Sequence, residues 1–142
     1  MTIDIGLIGC GGWGRLILRD LVSLDARVHV VAPSAATRAF ATGNGAVSAV
    51  ADIAGIRTPI AGYVVATPTT THGSVIQTLL PTGRPVFVEK PFTNDVGLAR
   101  GLVAAAGDRI FVMDKWRYHP GIAAMAAMVR SGELGEVLAI QS

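Results

Sequence analysis

The sequence is poor in cysteine and in lysine. Cys10 is the only cysteine among 142 residues, so no disulfide can form within the chain. That usage is typical of proteins in a reducing cytosol, and we expect a cytoplasmic protein. Ten of the twelve cationic side chains are arginine, and lysine occurs only at Lys90 and Lys115. Because this chain uses arginine wherever any cation would serve, the two lysines are candidates for specific roles.

Other absences exclude whole classes of protein. No basic leader or cleavage pattern follows Met1, so we expect no signal peptide. No apolar run approaches the roughly 18–20 residues of a membrane span, so no membrane partner is expected. The net charge is only +2 and the cations are spread along the chain, so nucleic acid is not expected either. We expect no metal site.

What the chain does contain is apolar sequence in a regular rhythm. Hydrophobic residues make up 51% and charged residues 15%, which suits one domain with a sizeable core and argues against disorder. Short apolar runs alternate with alanine-rich helical stretches, as in a parallel sheet with crossover helices. The predicted strands are 3–8, 27–32, 46–49, 63–66, 85–88, 110–113 and 136–142, and the predicted helices are 12–24, 35–42, 71–80, 94–106 and 120–131.

These elements predict an α/β fold of the Rossmann type, a doubly wound parallel sheet, followed by the start of a truncated C-terminal α+β domain. We assign residues 1–119 to an NAD(P)-binding domain. Residues 120–142 are predicted to be a linking helix and the first strand of an otherwise missing substrate domain. Because a terminal strand alone leaves an unpaired edge, we expect it to be poorly ordered or to pair with another subunit, as in a homo-oligomer. In the first helix, Leu16, Ile17, Leu21 and Leu24 are predicted to share one face.

A glycine motif, G-x-G-x-x-G at Gly9, Gly11 and Gly14, lies between the first strand and the first helix. In that position it is the fingerprint of dinucleotide binding. Gly9 permits the tight turn, Gly11 lets the backbone approach a pyrophosphate, and Gly14 lets the helix pack closely on the strand. The helix N-terminus offers free N–H groups to the phosphates, and we expect Gly12 and Trp13 to contribute to this site. A glycine-rich turn without a ligand is the alternative.

The end of the second predicted strand carries no carboxylate. An NAD site usually has Asp or Glu there to bind the ribose 2′-hydroxyl. Here Ser34, Thr37 and Arg38 are available, and Arg38 could give a charge-assisted contact to a 2′-phosphate. The sequence therefore favours NADP over NAD, although Arg38 could simply be an exposed helix residue.

Two further segments follow strands. Thr67 and Pro68 come after the 63–66 strand, and we place them beside the ribose or nicotinamide half of the cofactor. A threonine at 69, 70 or 71 is predicted to cap the next helix. His72 then lies in the first turn, as a cofactor contact or as a structural histidine.

Glu89 and Lys90 precede Pro91 after the 85–88 strand, and the Lys90–Pro91 bond is a candidate for the cis form. Thr93 or Asn94 is predicted to cap the following helix.

The segment 114–120 concentrates charged and aromatic residues after the 110–113 strand. Lys115 and Arg117 could meet an anionic or polyhydroxylated substrate, and Trp116 and Tyr118 could line a sugar-sized pocket. Packing of the two aromatic residues against a second domain is an equal alternative.

Five candidates share one position relative to the sheet. They lie just past the carboxyl ends of predicted parallel strands, where open α/β sheets bind ligands. These residues are Gly9, Ser34, Thr67, Lys90 and Lys115.

The order of the motifs at 9–14, 66–72 (A-T-P-x-x-x-H), 89–91 (E-K-P), 116–120 (W-R-Y-x-P) and 131–137 (S-G-x-L-G-x-V) resembles the Gfo/Idh/MocA oxidoreductases, the family of glucose–fructose oxidoreductase and inositol 2-dehydrogenase. The resemblance implies that Lys90 contacts substrate and helps position the nicotinamide, so it is the catalytic candidate. It also implies that Arg117 lies near the cofactor. We count His72 and Glu89, which belong to two of these motifs, among the cofactor-binding candidates. The implied reaction is hydride transfer at a CH–OH carbon of a sugar, cyclitol or related polyhydroxylated molecule.

The chain also departs from that family. Many members carry Asp after the second strand, and members usually have a second domain that supplies a catalytic histidine. Neither His72 nor His119 falls at that position. We therefore expect a cofactor-binding part that is incomplete for catalysis alone. A non-catalytic nucleotide-binding module and one subunit of a split oxidoreductase are the alternatives.

Overall fold

The computed structural model describes residues 2–141 and contains one six-stranded sheet. All neighbouring strands are parallel, and their order is β3-β2-β1-β4-β5-β6. The predicted doubly wound Rossmann-type fold is confirmed. Its elements are β1 (Asp4–Ile8), α1 (Gly12–Ser23), β2 (Arg27–Val31), α2 (Ala35–Gly43), β3 (Ser48–Val50), β4 (Gly62–Val65), α3 (Thr69–Leu79), β5 (Val86–Glu89), α4 (Val96–Ala106), β6 (Ile110–Met113) and α5 (Pro120–Ser131), with 3₁₀ turns at Ile53–Gly55, Leu80–Thr82 and Lys115–Tyr118.

The strand register places the carboxyl ends of the central strands side by side. Ile8 at the end of β1 is paired with Val31 of β2 on one side and with Val65 of β4 on the other. The chain crosses from one side of β1 to the other between β3 and β4. Such a reversal of strand order opens a crevice at the carboxyl edge of the sheet.

Both faces of the sheet are covered, which explains why the strands are apolar throughout. On one face, Leu7, Val28 and Val30 pack with Leu18 of α1. On the other face, a second core cluster contains fully buried residues of β4, β5 and α3: Val65, Ile76, Leu79, Val86 and Val88.

The predicted apolar face of α1 is only half right. Ile17 and Leu18 are buried, whereas Leu16 is 40% and Leu24 is 76% exposed. Gly14 also faces the sheet, and its lack of a side chain lets α1 approach closely. The core face therefore runs through Gly14, Ile17 and Leu18, and a search for large apolar residues does not select Gly14.

Two predicted helix caps are wrong. α4 is capped by Asp95, whose Oδ1 accepts a 2.8 Å hydrogen bond from the N–H of Leu98, and not by Thr93 or Asn94. α3 begins at Thr69 after Pro68 and has no side-chain cap. The Thr71 hydroxyl instead donates to the Pro68 carbonyl at 2.8 Å, because the helix starts two residues earlier than predicted.

The C-terminal strand is also wrong for the residues that are described. Helix α5 ends at a left-handed Gly132, and residues 136–141 form no strand. A strand requires a hydrogen-bonded neighbour, and within residues 2–141 none lies beside this segment. Ser142 lies outside the described residues, and pairing with another subunit through this segment stays a prediction. None of the helices within residues 2–141 is long and apolar enough to cross a membrane.

Candidate functional site

The glycine loop joins β1 to α1 and has the geometry that the motif predicts. Gly9 has φ +92°, and a Cβ there would lie 2.8 Å from the carbonyl oxygen of Ala66. A Cβ on Gly14 would collide with the carbonyl oxygen of Gly9, whereas nothing lies within 4 Å of a Cβ on Gly11 or Gly12. The first and last glycines are therefore required by packing, and the middle ones border open space at the N-terminus of α1.

One cavity lies beside this loop at the ends of β1, β2 and β3. We call it the β1–β3 cavity; its volume is about 490 Å³ and its walls are mainly apolar. Gly9, Ser34 and Thr67, predicted from their positions after strands, line it together with Gly11 and Thr37.

A second cavity of about 410 Å³ lies at the ends of β4, β5 and β6, and we call it the β4–β6 cavity. Its lining contains both lysines of the chain, although they are 25 residues apart in the sequence. The five predicted strand-end positions are thus brought to one edge of the sheet. The lining residues with polar or aromatic side chains are Trp13, Thr67, Thr69, His72, Glu89, Lys90 and Lys115.

The two cavities meet at the end of β4, where Ala66, Thr67 and Pro68 line both of them. The hydroxyl oxygen of Thr67 is buried there and has no hydrogen-bond partner within the described part of the chain. Leaving a buried hydroxyl unpaired costs about 1–3 kcal/mol. An unpaired hydroxyl between two joined cavities fits an extended ligand that passes from one to the other and offers a polar atom at this point.

The Glu89-Lys90-Pro91 turn is held from both sides. The Trp13 indole N–H donates to Glu89 Oε1, and the Lys90 backbone N–H donates to Glu89 Oε2 at 3.1 Å. The Lys90–Pro91 peptide bond is cis, as predicted. The ring nitrogens of His72, a residue that is only 1% exposed, lie 3.0 Å from the Pro91 carbonyl oxygen and 2.8 Å from that of Thr67. His72 therefore connects the turn after β4 to the turn after β5.

The end of β2 carries a guanidinium group that is held by the backbone. Arg38 Nη1 donates to the carbonyl oxygens of Ala32 at 2.8 Å and Pro33 at 2.5 Å. Ser34 caps α2 by accepting from the N–H of Thr37 at 3.4 Å. Arg38 lies at the rim rather than in the lining of the β1–β3 cavity.

The segment after β6 forms a 3₁₀ turn that was not predicted. Asp114 caps it by accepting from the N–H of Trp116 at 3.1 Å, and the Lys115 ammonium lies 5.2 Å from the centroid of a Trp116 ring. Tyr118 is 74% exposed and borders a shallower cavity next to the β4–β6 cavity. Of this segment only Lys115 lines the β4–β6 cavity itself, so Trp116 and Arg117 lie beside the site rather than in it.

Asp52 and Cys10 are among the lining residues of the β1–β3 cavity that were not predicted. Asp52 follows β3 and caps the next 3₁₀ turn, with its Oδ1 accepting from Gly55 N–H at 3.0 Å. The predicted candidates are polar residues directly after predicted strands. Asp52 is not among them because this strand is predicted at 46–49, whereas β3 spans Ser48–Val50. Cys10 is 2% exposed inside the glycine loop, and burial raises the pKa of its thiol, so it serves as a small apolar side chain.

The motif, the open space at the N-terminus of α1 and the paired cavities at a reversal of strand order define a dinucleotide-binding Rossmann domain. Residues 3–111 match the oxidoreductase family Gfo/Idh/MocA, described as having an NAD-binding Rossmann fold. The chain belongs to this family, and the resemblance inferred from its motifs is confirmed.

Individual relatives agree with this assignment. The chain is 29% identical over 143 residues to an inositol 2-dehydrogenase of Rhizobium meliloti, covering 96% of this chain and 43% of that protein. It is similar to the structure of a myo-inositol dehydrogenase from Corynebacterium glutamicum, with 28% identity, a TM-score of 0.82, and coverage of 96% and 43%. The structure of GenD2 from gentamicin A biosynthesis, solved with NAD, gives 26% identity and a TM-score of 0.79, covering 93% and 40%. The chain thus spans less than half the length of these relatives.

Proposed function

We propose that this chain is the cofactor-binding part of an NAD(P)-dependent oxidoreductase that acts on a CH–OH group of a cyclitol, a sugar or a related polyhydroxylated molecule. The observation that carries the proposal is the pair of cavities that meet at the unpaired Thr67 hydroxyl, beside the open N-terminus of α1. Membership of the family and the inositol dehydrogenases among the relatives support the substrate class.

We assign the two halves of a bound dinucleotide to different cavities. The β1–β3 cavity, apolar and bounded by the end of β2, would hold the adenosine half. The N–H groups at the start of α1, next to Gly11 and Gly12, would bind the diphosphate. The Thr67 hydroxyl would bind a polar atom at the crossing, and the β4–β6 cavity would hold the nicotinamide half next to Lys90.

Lys90 is the catalytic candidate. When the cofactor is bound, its nicotinamide ring supplies or accepts the hydride. Lys90 would donate a hydrogen bond to the substrate oxygen, which polarises a carbonyl and stabilises the negative charge that develops on an alcohol oxygen. Lys115 lines the same cavity and would contribute a second cation near a polar substrate.

We further propose that the domain prefers NADP(H) to NAD(H). The hydrogen bonds of Arg38 to Ala32 and Pro33 hold a guanidinium group at the end of β2, where it could meet a 2′-phosphate. No carboxylate follows β2 to bind a ribose hydroxyl instead. NAD(H) is the alternative, favoured by the NAD found in the GenD2 structure.

A second candidate function is cofactor binding without turnover. The histidines of the described chain do not offer a general base to the β4–β6 cavity. Both ring nitrogens of His72 face backbone carbonyls, and His119 Nδ1 accepts from Gly121 N–H at 3.2 Å. His29 is the middle residue of β2, and its Nε2 faces Asp4 at the start of β1. A histidine for proton transfer would therefore have to come from elsewhere, such as a second domain or subunit.

Titration of the purified chain with NADPH and NADH, followed by fluorescence and calorimetry, tests the proposal. We expect binding of both, tighter for NADPH, and a selective loss of NADPH affinity in Arg38→Ala. Turnover is then assayed on inositols and sugars. Binding without turnover favours the second candidate, whereas the absence of binding to either dinucleotide contradicts the proposed function. Unchanged NADPH affinity in Arg38→Ala contradicts the NADP preference alone.

A further inference from the structure

The hydrogen bond from Trp13 to Glu89 joins two segments that are 76 residues apart in the chain. Trp13 is the second residue of α1 and belongs to the glycine loop, whereas Glu89 is the last residue of β5. The other carboxylate oxygen of Glu89 accepts from the backbone N–H of Lys90. One carboxylate therefore connects the glycine loop to the backbone of the catalytic candidate.

The far side of the same turn is held by His72, a ring nitrogen of which lies 3.0 Å from the Pro91 carbonyl oxygen. The neighbours of Lys90 on both sides are thus fixed, and its exposed side chain extends from a held backbone into the β4–β6 cavity. A movement of Glu89 is then transmitted to Lys90 rather than absorbed by a loose loop.

The partner of Glu89 matters as well as its position. A carboxylate next to a lysine in the chain is an available ion-pair partner for its ammonium group, and such pairing would withdraw the ammonium from a substrate oxygen. The ion pairs within residues 2–141 involve Asp4 and Asp20 and not Glu89. The indole and the Lys90 backbone N–H occupy one oxygen each, so the Lys90 ammonium stays available.

We propose that Trp13 is a positioning residue that couples a dinucleotide at the glycine loop to the position of Lys90. The inference rests on the proposed function, because it needs the diphosphate at the start of α1. Trp13 carries one of the backbone N–H groups of this first turn, so a ligand that binds there acts directly on the residue that holds Glu89. Its ring also lines the β4–β6 cavity with Lys90. Phenylalanine would preserve that wall but remove the N–H.

The scarcity of lysine makes the coupling measurable without any turnover. Reductive methylation with ¹³C-formaldehyde gives one NMR signal for each of the two dimethylated lysines, besides the α-amine, and Lys90→Arg and Lys115→Arg assign them. The labelled chain is titrated with NADPH and NADH. We expect the Lys90 signal to shift and sharpen on binding, because the ordered loop fixes Glu89.

Three variants then test whether the response of Lys90 depends on the hydrogen bond from Trp13 to Glu89. In Trp13→Phe we expect dinucleotide affinity to fall about fivefold or more and the Lys90 response to be lost, while the Lys115 signal behaves as in the parent chain. Glu89→Ala gives the same result from the other partner. Glu89→Gln keeps one acceptor, its amide oxygen, for either the indole or the Lys90 N–H, so it should retain only part of the Lys90 response. Glu133→Gln, at an exposed glutamate after α5, is the control and changes neither signal.

The outcomes separate the inference from the proposed function. If the unsubstituted chain binds no dinucleotide, the proposed function fails and the coupling fails with it. If it binds but the Lys90 signal does not respond, or responds equally in Trp13→Phe and Glu89→Ala, the coupling is overturned and the proposed function stands. A change of both lysine signals in a variant with a lowered melting temperature also overturns it, since general loosening would then be the cause.

Discussion

His29 Nε2 lies 2.7 Å from Asp4 Oδ1, across the first two strands of the sheet, with Asp4 at the start of β1. His29 is only 3% exposed, and its other ring nitrogen lies 2.8 Å from the Ser48 hydroxyl. Arg27 Nε also donates to Asp4 Oδ1, at 3.0 Å. The hydrogen bond from His29, together with the bond and charge of Arg27, lowers the pKa of Asp4 against the opposing effect of burial.

This lowered pKa predicts how stability depends on pH. Because the folded state favours ionised Asp4, the carboxylate stabilises the fold above the ordinary aspartate pKa of about 3.8, and this contribution is lost as the pH falls through the lower folded value. Asp4→Asn should therefore be less stable than the parent chain at pH 6, with a difference that shrinks below pH 4. Urea unfolding between pH 3 and 6 measures it. Asp108→Asn, at an exposed carboxylate, is the control, and a constant difference across this range would contradict the prediction.

Two alanine substitutions in the glycine loop should affect different properties, one the stability of the fold and the other the affinity for a dinucleotide. Gly14→Ala forces a Cβ against the Gly9 carbonyl oxygen and should destabilise the fold by about 1–3 kcal/mol. Gly11→Ala meets nothing within 4 Å, so it should cost less than about 1 kcal/mol yet lower dinucleotide affinity at least tenfold, because the methyl group fills the phosphate space. Thermal melts and NADPH titration measure both. Gly43→Ala, in open space at the end of α2, is the control; equal affinity in Gly11→Ala would refute the assignment of that space.

Removal of the His72 imidazole should destabilise the domain. His72→Leu removes the one ring N–H that can donate to the carbonyl of Thr67 or of Pro91, at an expected cost of about 1–3 kcal/mol. His119→Asn, which exchanges one helix-capping residue for another at an exposed position, should cost little. Urea unfolding compares the two variants. Equal stability of His72→Leu and the parent chain would mean that the two carbonyls do not depend on the imidazole.

Core and surface leucines provide a test of the packing. Leu79, the last residue of α3, is fully buried, so Leu79→Ala should cost about 2–5 kcal/mol. Leu24 is 76% exposed after α1, so Leu24→Ala should change stability by less than about 0.5 kcal/mol. The difference between the two midpoints of urea unfolding checks this assignment. Similar midpoints would contradict the packing of α3 on the sheet.

The strands and the edge of the sheet could be predicted because their signals are local. Apolar runs bounded by turns indicate strands, and the residue after each strand reaches the same edge whatever the exact boundary. Gly9, Ser34, Thr67, Lys90 and Lys115 were therefore placed correctly even where strand ends differed by one or two residues. The family was predictable for a similar reason, since several short motifs in a fixed order are far more specific than any one of them.

What could not be predicted depends on contacts between distant residues. The bond between Trp13 and Glu89 is invisible in a sequence where 76 residues separate them. The position of the two His72 nitrogens opposite carbonyl oxygens likewise depends on how closely two turns approach. The strand predicted after Glu136 failed because periodicity indicates a strand but does not supply the neighbour with which it must pair.

The central position of β1 has a consequence for synthesis. β1 leaves the ribosome well before its second neighbour, β4, which begins only at Gly62, roughly fifty residues later in the chain. At about 5–20 residues per second, the inner edge of β1 stays unpaired for about 3–10 s. During that interval the nascent chain presents an apolar strand edge of the kind that pairs readily with other chains. The strand order that creates the binding crevice thus also imposes a period of exposure on every newly made copy, in which we expect chaperone contact at residues 4–8.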